Sequence, residues 1–246
     1  MLNHPQQTLD IYLPDAESFP VFLYFHGGGI VNGHKSMGRV SDVGKSFAEK
    51  GIAFVSADYR MYPETRYPDF IYDCAAAVAW ANKNMGEYGT ITGLFVGGSS
   101  AGGYLSQMLC FDDKYLSNYR LPQTAITGYI HDAGQPTTHF NVLKERGFDY
   151  RSVIIDEASP IYHIKADKEY RPMSILVSEF DMENRLEQTK LLVSTMKHMG
   201  ADMDKVEFNY MEGWKHCQYI DHFEEDGKNF FVEIAEKFIK KYAEVK

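Results

Sequence analysis

Seven residues without a bulky side chain, Gly97-Gly98-Ser99-Ser100-Ala101-Gly102-Gly103, close the apolar run ITGLFVG (Ile91 to Gly97) and lead into a helical pattern beginning near Gly103. A chain that passes from strand to helix with so little between must turn sharply. Small residues on both sides of the turn keep the backbone clear of its neighbours. Gly98 to Gly102 satisfies G-x-S-x-G, which places Ser100 at the apex of the turn. There the new helix sets its N-terminal partial charge beside the serine hydroxyl. A glycine-rich loop can also cradle phosphate, but the Lys-Ser/Thr ending of a P-loop is absent. The spacing predicts a nucleophilic serine on a strand–turn–helix unit.

The rest of the chain repeats that alternation. VFLYF (Val21 to Phe25), IAFVSA (Ile52 to Ala57), AITGYI (Ala125 to Ile130), MSILVS (Met173 to Ser178) and VEFNYM (Val206 to Met211) read as strands, buried on both faces. Helical patterns cover Val40 to Lys50, stopped by Gly51, and Asp69 to Asn84, with Ala75, Val78 and Ala79 on one face. A third covers Glu183 to Met199, where Leu186, Leu191, Val193 and Met196 lie among charges, and a last one Phe230 to Tyr242. TLDIYLP alternates as an edge or antiparallel strand. The expected fold is α/β: a mostly parallel central sheet with helices on both faces, in a single domain over 1–246. From His131 to Tyr170 the rhythm breaks, with only Thr137 to Arg146 helical in pattern. A connection that long in a compact domain is usually functional, so 131–170 is expected to form a small lid or pocket wall.

His26-Gly27-Gly28-Gly29 follows the strand VFLYF. Consecutive glycines leave backbone N–H groups unobstructed and, with the N–H of Ala101, able to converge on one oxygen. His26 is expected to support this loop by hydrogen bonding. The serine needs a base, and the base an orienting carboxylate, in the chain order Ser, Asp or Glu, His. Of His131, His139, His163, His198, His216 and His222, His216 lies just after the last strand and before the terminal helix, with His222 as the fallback. His198 falls in a helical pattern, and His131, which ends a strand before the irregular segment, is a candidate to line the pocket. Asp181 lies just past the strand MSILVS, at the rim that also carries Ser100. Glu179, Glu183 and Asp202 are nearby alternatives, read as surface charges. Asp156 and Asp132 would serve only under a different strand assignment.

Charge narrows the partners. With 25 Lys and Arg against 34 Asp and Glu, the net charge of −9 disfavours nucleic acid and anionic membranes. Three cysteines without a CxxC pair suit a reducing compartment. The first residues lack a signal-peptide pattern, and no apolar run has the roughly 18–20 residues of a transmembrane helix. A cytoplasmic protein with no metal and no organic cofactor is expected.

These residues resemble the hormone-sensitive-lipase-like and related carboxylesterases of the α/β-hydrolase superfamily. The resemblance rests on HGGG (His26 to Gly29), GGSSAGG (Gly97 to Gly103), Asp181 and His216 in chain order. It also takes in Ala57 to Asn84, where Asp58-Tyr59-Arg60 and Pro63-Glu64 would brace the site, and SPIYHI (Ser159 to Ile164), so that it spans roughly residues 8 to 240. It implies a triad of Ser100, Asp181 and His216, with oxyanion donors Gly28, Gly29 and Ala101. The family usually has a longer N-terminal capping region. Its reduction here implies an open site, unsuited to long-chain lipids, with specificity carried by 131–170. The implied substrates are small-molecule esters with short (acetyl) or aromatic acyl groups, on carbohydrate among other alcohols. The 17 tyrosines and 16 phenylalanines are consistent with aromatic pocket walls, although most belong to the core. An arylformamidase acting on N-formylkynurenine-type amides is the nearest alternative, and a catalytically inactive binding protein a remote one.

Overall fold

Seven strands pair side by side in a computed structural model that describes residues 4–166 and 168–243. The two ends of the expected 1–246 domain, and one position of the 131–170 segment, lie outside the described residues. The strands are β1 (Leu9–Tyr12), β2 (Ser18–Phe25), β3 (Ala53–Ala57), β4 (Thr90–Ser99), β5 (Gly128–Asp132), β6 (Met173–Phe180) and β7 (Val206–Lys215). They form one sheet in the order β1-β3-β2-β4-β5-β6-β7, in which only the β1–β3 pair is antiparallel. The helices are α1 (Val40–Glu49), α2 (Asp69–Asn84), α3 (Ala101–Phe111), α4 (Lys114–Ser117), α5 (Phe140–Glu145), α6 (Arg185–His198), α7 (Gln218–Asp221) and α8 (Phe230–Tyr242).

Strand β2 shows why the sheet needs two helical layers. Val21, Leu23 and Phe25 point to one face, against α2, α3 and α6. Phe22 and Tyr24 point to the other, against α1, α7 and α8. All five are buried, and each large apolar side chain so placed contributes about 1.5–3 kcal/mol of transfer free energy. On the second face Phe47 of α1 stacks on Phe54 of β3, with ring centroids 5.2 Å apart.

Four details differ from the sequence reading. Strand β5 begins at Gly128, because Gln123–Ala125 forms a 3-10 turn held by Gln123 Nε2 donating to the Leu109 carbonyl at 2.7 Å. Strand β7 is not buried on both faces. It is an edge strand with β6 as its only strand neighbour, and Phe208 and Tyr210 are exposed. The inward stripe of α6 is Arg185, Thr189, Leu192 and Met196, and Leu191 is exposed. Asn184, in the left-handed conformation (φ 63°), stands at the N-terminal boundary of this helix. The segment after β5 is also less open than its polar composition suggests, since positions 131–139 are all buried. Among the described residues, no helix is long and apolar enough to cross a membrane.

Candidate active site

The parallel strands β2, β4, β6 and β7 end along one rim, and each delivers one part of the site. At the end of β4, Ser100 adopts φ 56° and ψ −113°, a conformation that side chains rarely take. The crowding that forces this turn is visible at Gly102, where a Cβ would overlap the Phe25 carbonyl oxygen of the neighbouring strand. Ala101 opens α3, so its N–H has no intrahelical acceptor.

The loop after β2 faces this turn. Gly28 has φ 107°, and a Cβ there would overlap Asn32, so only glycine fits. The N–H groups of Gly28 and Gly29 donate to no other described residue. Behind them His26 is fully buried, with Nδ1 donating to the Gly27 carbonyl at 2.7 Å and the ring stacked on Tyr59. Burial lowers the pKa of His26 below its ordinary value, which suits a neutral, structural ring. The Tyr59 hydroxyl donates to the His26 carbonyl at 2.8 Å, and Arg60 pairs with the buried Asp73 at 2.8 Å. The first contact holds the oxyanion-side loop from below, and the second ties the segment after β3 to α2.

Asp181 and His216 come from the ends of β6 and β7. His216 Nε2 lies 2.8 Å from Ser100 Oγ, and its Nδ1 lies 2.5 Å from Asp181 Oδ1. With the proton on Nδ1 donated to Asp181, Nε2 is free to accept from the serine hydroxyl. The Asp181 carboxylate also accepts from the backbone N–H of Met182 (2.7 Å) and of Ser178 (3.2 Å). Burial alone would raise the Asp181 pKa, but the hydrogen bond and charge of His216 outweigh it and hold the carboxyl below its usual range. The Ser178 hydroxyl donates to the Lys215 carbonyl at 2.9 Å, which ties the two loops together.

No side chain of the other histidines and acids weighed above hydrogen-bonds to the Ser100 hydroxyl, although the Asp132 carbonyl accepts from the Ser100 N–H at 2.8 Å. His131 does not line the cavity at Ser100. It is buried on β5 with Nδ1 at 2.9 Å from Ser106 Oγ, and burial lowers its pKa to about 3. His139 caps α5, His163 contacts the Glu157 carbonyl, and His222 packs its ring near Trp214. Glu179 accepts from the Gly213 N–H, Asp202 from the Asp204 N–H, and Asp156 from Thr138 and Arg146.

Three contributors escape sequence reasoning. Asn229, just before α8, accepts from the Val232 N–H and donates to the carbonyls of Tyr219, Ile220 and His222. It thereby knots α7, and the loop carrying His216, to the last helix. Asn141 Nδ2 donates to the Gly29 carbonyl at 2.5 Å, fixing the oxyanion-side loop from the 131–170 segment. Asp132, at the end of β5, is fully buried and accepts from the Tyr219 hydroxyl. Burial raises its carboxyl to about 6, only partly opposed by its hydroxyl neighbours. The placement of Asp132 at a strand end was the one available signal; nothing in the sequence marks the two asparagines.

A cavity of about 200 Å³ opens at Ser100 and His216, walled by Tyr24, Met37, Val40 and Ile220. A second hollow of about 490 Å³ lies between α5 and the start of α6. Among the described residues, no group of three or more His, Cys, Asp or Glu side chains is placed to hold a metal ion.

Residues 9–144, more than half of the chain, match the family model described as BD-FAE. The chain belongs to the BD-FAE family. The match covers the turn at Ser100 and the loop at Gly28 and Gly29, whereas Asp181 and His216 lie beyond it. This BD-FAE chain is 39% identical over 101 residues to Esterase LipI of Mycobacterium tuberculosis, covering 39% of the chain and 30% of LipI. It spans less than half the length of the curated relatives it matches. Its fold is that of α/β-hydrolase esterases. It superposes on the propionate-bound thermophilic esterase Est2 of Thermogutta terrifontis with a TM-score of 0.75 at 23% identity, covering 97% of this chain and 91% of Est2. It superposes on Esterase B from Lactobacillus Rhamnosis with a TM-score of 0.78 at 17% identity, covering 98% and 82% of the two chains.

Proposed function

We propose that this chain is a serine hydrolase of carboxylic esters, with Ser100 as nucleophile, His216 as general base and Asp181 as its orienting acid. One observation carries the reading: a continuous path from Ser100 Oγ through both ring nitrogens of His216 to Asp181, facing the uncommitted N–H groups of Gly28, Gly29 and Ala101. His216 takes the hydroxyl proton as Oγ attacks the ester carbonyl. The carbonyl oxygen, now negative, rests on the three N–H groups. Collapse of the tetrahedral species breaks the ester bond, and His216 passes its proton to the departing alcohol. Water then attacks the acyl-enzyme, again giving a proton to His216, and the carboxylic acid leaves as Ser100 Oγ is reprotonated. Asp181 holds the ring tautomer and balances the imidazolium that forms twice per cycle.

The cavity at Ser100 is small and largely apolar, which supports acetyl and other short acyl groups. Est2 has been observed with propionate and with butyrate, acids of that size. Phe140 and Tyr150, from the 131–170 segment, wall the larger hollow and support an aromatic or sugar ring on the rest of the substrate. That segment acts as pocket wall within a single catalytic domain. The free thiols of Cys74, Cys110 and Cys217 support a reducing, cytoplasmic setting.

A fluorophosphonate probe should label the wild-type protein and leave Ser100→Ala unlabelled, with turnover reduced about 10⁶-fold. Equal labelling of both proteins removes Ser100 as the nucleophile. Across nitrophenyl esters from acetate to octanoate, with acetylated sugars, feruloyl esters and N-formylkynurenine alongside, activity should peak between acetate and butyrate. A maximum at octanoate, or turnover of the formamide alone, overturns the substrate reading.

A further inference from the structure

We propose that the hollow beside the triad recognises a carboxylate carried by the ester substrate, with Arg185 as its fixed cation and Lys144 as its mobile one. The proposal rests on the ester-hydrolase reading and adds a substrate class to it.

Arg185 begins the inward stripe of α6 and is only 4% exposed. Its guanidinium donates to the Ala133 carbonyl, to Gln135 Oε1 at 3.5 Å and to Met182 Sδ at 3.7 Å, all of them neutral. It forms an ion pair with no carboxylate among the described residues. Arg60 and Arg146, by contrast, both sit 2.8 Å from a carboxylate oxygen. Asp181 lies on the same loop, but its oxygens are taken by His216 and two backbone N–H groups. The charges of Asp181 and Asp132 reach Arg185 only through space, not in contact. A buried cation with no carboxylate in hydrogen-bonding contact is unfavourable, and an apolar side chain would continue the stripe of Leu192 and Met196 without that cost. An arginine at this position is accounted for if an anion completes it when the hollow is filled.

The hollow has the charge for such an anion. Its walls present Lys144, Arg151 and Arg185 against the single carboxylate of Glu183, in a chain of net charge −9. Arg151 is already held by Asp149 in a two-pronged pair. The Lys144 ammonium makes no hydrogen bond or ion pair with a described residue, and Lys144 lines the hollow from an exposed position of α5. Gln188 spends Oε1 on the Thr137 hydroxyl and leaves its NH₂ as a neutral donor. One fixed guanidinium, one lysine and one amide match a single carboxylate better than a phosphate dianion.

Position links this hollow to the reaction. Asn141, one of its walls, donates to the Gly29 carbonyl, and Met182, another, donates its N–H to Asp181. Two of the loops that frame Ser100 therefore also frame the hollow. A carboxylate bound there belongs to the acyl or the alcohol part of an ester whose carbonyl lies at Ser100.

The test compares matched esters differing only in a carboxylate. For the acyl side, mono-nitrophenyl glutarate is set against nitrophenyl valerate; for the alcohol side, carboxymethylphenyl acetate against ethylphenyl acetate. In one pair the wild-type protein should favour the charged ester in kcat/KM. Arg185→Gln should lower that charged-to-neutral ratio roughly 10- to 100-fold, the scale of a lost charge-assisted hydrogen bond. Lys144→Glu, on an exposed helix position, should lower it severalfold and decides the matter if Arg185→Gln does not fold. A wild-type ratio near or below one in both pairs, or a ratio unmoved by Lys144→Glu when Arg185→Gln leaves it unmoved or does not fold, overturns the proposal. If no ester is turned over and the fluorophosphonate does not label, the ester-hydrolase reading falls instead.

Discussion

The two sides of the candidate site are built on different principles. On one side, the turn at Ser100 and the loop at Gly28 and Gly29 are shaped by backbone sterics between neighbouring residues and adjacent strands. A Cβ at Gly102 or Gly28 would strike main-chain atoms, so the residues that make the turns are the residues that define them. On the other side, the wall formed by positions 131–152 and the start of α6 is shaped by side-chain contacts between residues far apart in the chain. Asn141 reaches Gly29, Thr137 reaches Gln188 and Arg185 reaches Ala133. The machinery of a reaction can thus be fixed by a short motif, whereas the surface that chooses a substrate is assembled only by the completed fold.

Substitutions on each side sharpen this contrast. The largest effect is expected at Asp181→Asn, which keeps the shape of the acid but presents the wrong hydrogen-bonding partner to His216. Turnover should drop about 10⁴-fold with little change in melting temperature. Near-normal turnover would take Asp181 out of the triad. Asp132→Asn should act on stability instead. Burial pushes its carboxyl up to about 6 from an ordinary 3.8, so the folded state loses stability as pH rises from about 4 to 6. At pH 7 the asparagine variant should therefore unfold with a free energy up to about 3 kcal/mol higher than wild type, a lead that vanishes below about pH 4. Denaturant titrations at the two pH values check this, and a difference independent of pH would show that ionisation of Asp132 is not its source. The smallest effect belongs to Asn141→Ala, which frees the Gly29 carbonyl. It should lower kcat/KM up to about tenfold, the scale of one hydrogen bond, while melting stays within a few degrees. Unchanged kinetics would separate the wall from the oxyanion-side loop.

Legibility in the sequence follows the same division. Helices α2 and α8 run over the residues their periodicity marks, and β1 is the antiparallel edge strand its alternation suggests. Ser100, Asp181 and His216 are brought within hydrogen-bonding distance because each follows a strand, and parallel strands end at a common rim. Where the reading departs from the structure, a distant contact decides. Gln123 delays the start of β5 by docking on α3, the edge position exposes β7, and His131 is turned to Ser106 by packing that periodicity does not encode. Arg185 is the hardest case: nothing in the sequence marks a charged residue at the start of α6 as the head of its buried stripe.

The Asn229 knot has a consequence for when the protein can act. One amide holds the α7 loop on one side and the first turn of α8 on the other, so the loop bearing His216 gains this support only once α8 has folded. Ser100 and its glycines are synthesised more than a hundred residues earlier, yet the nascent chain would carry an inert alcohol. Competence is deferred until α8 has folded, which keeps a partly folded polypeptide from being acylated on its own nucleophile.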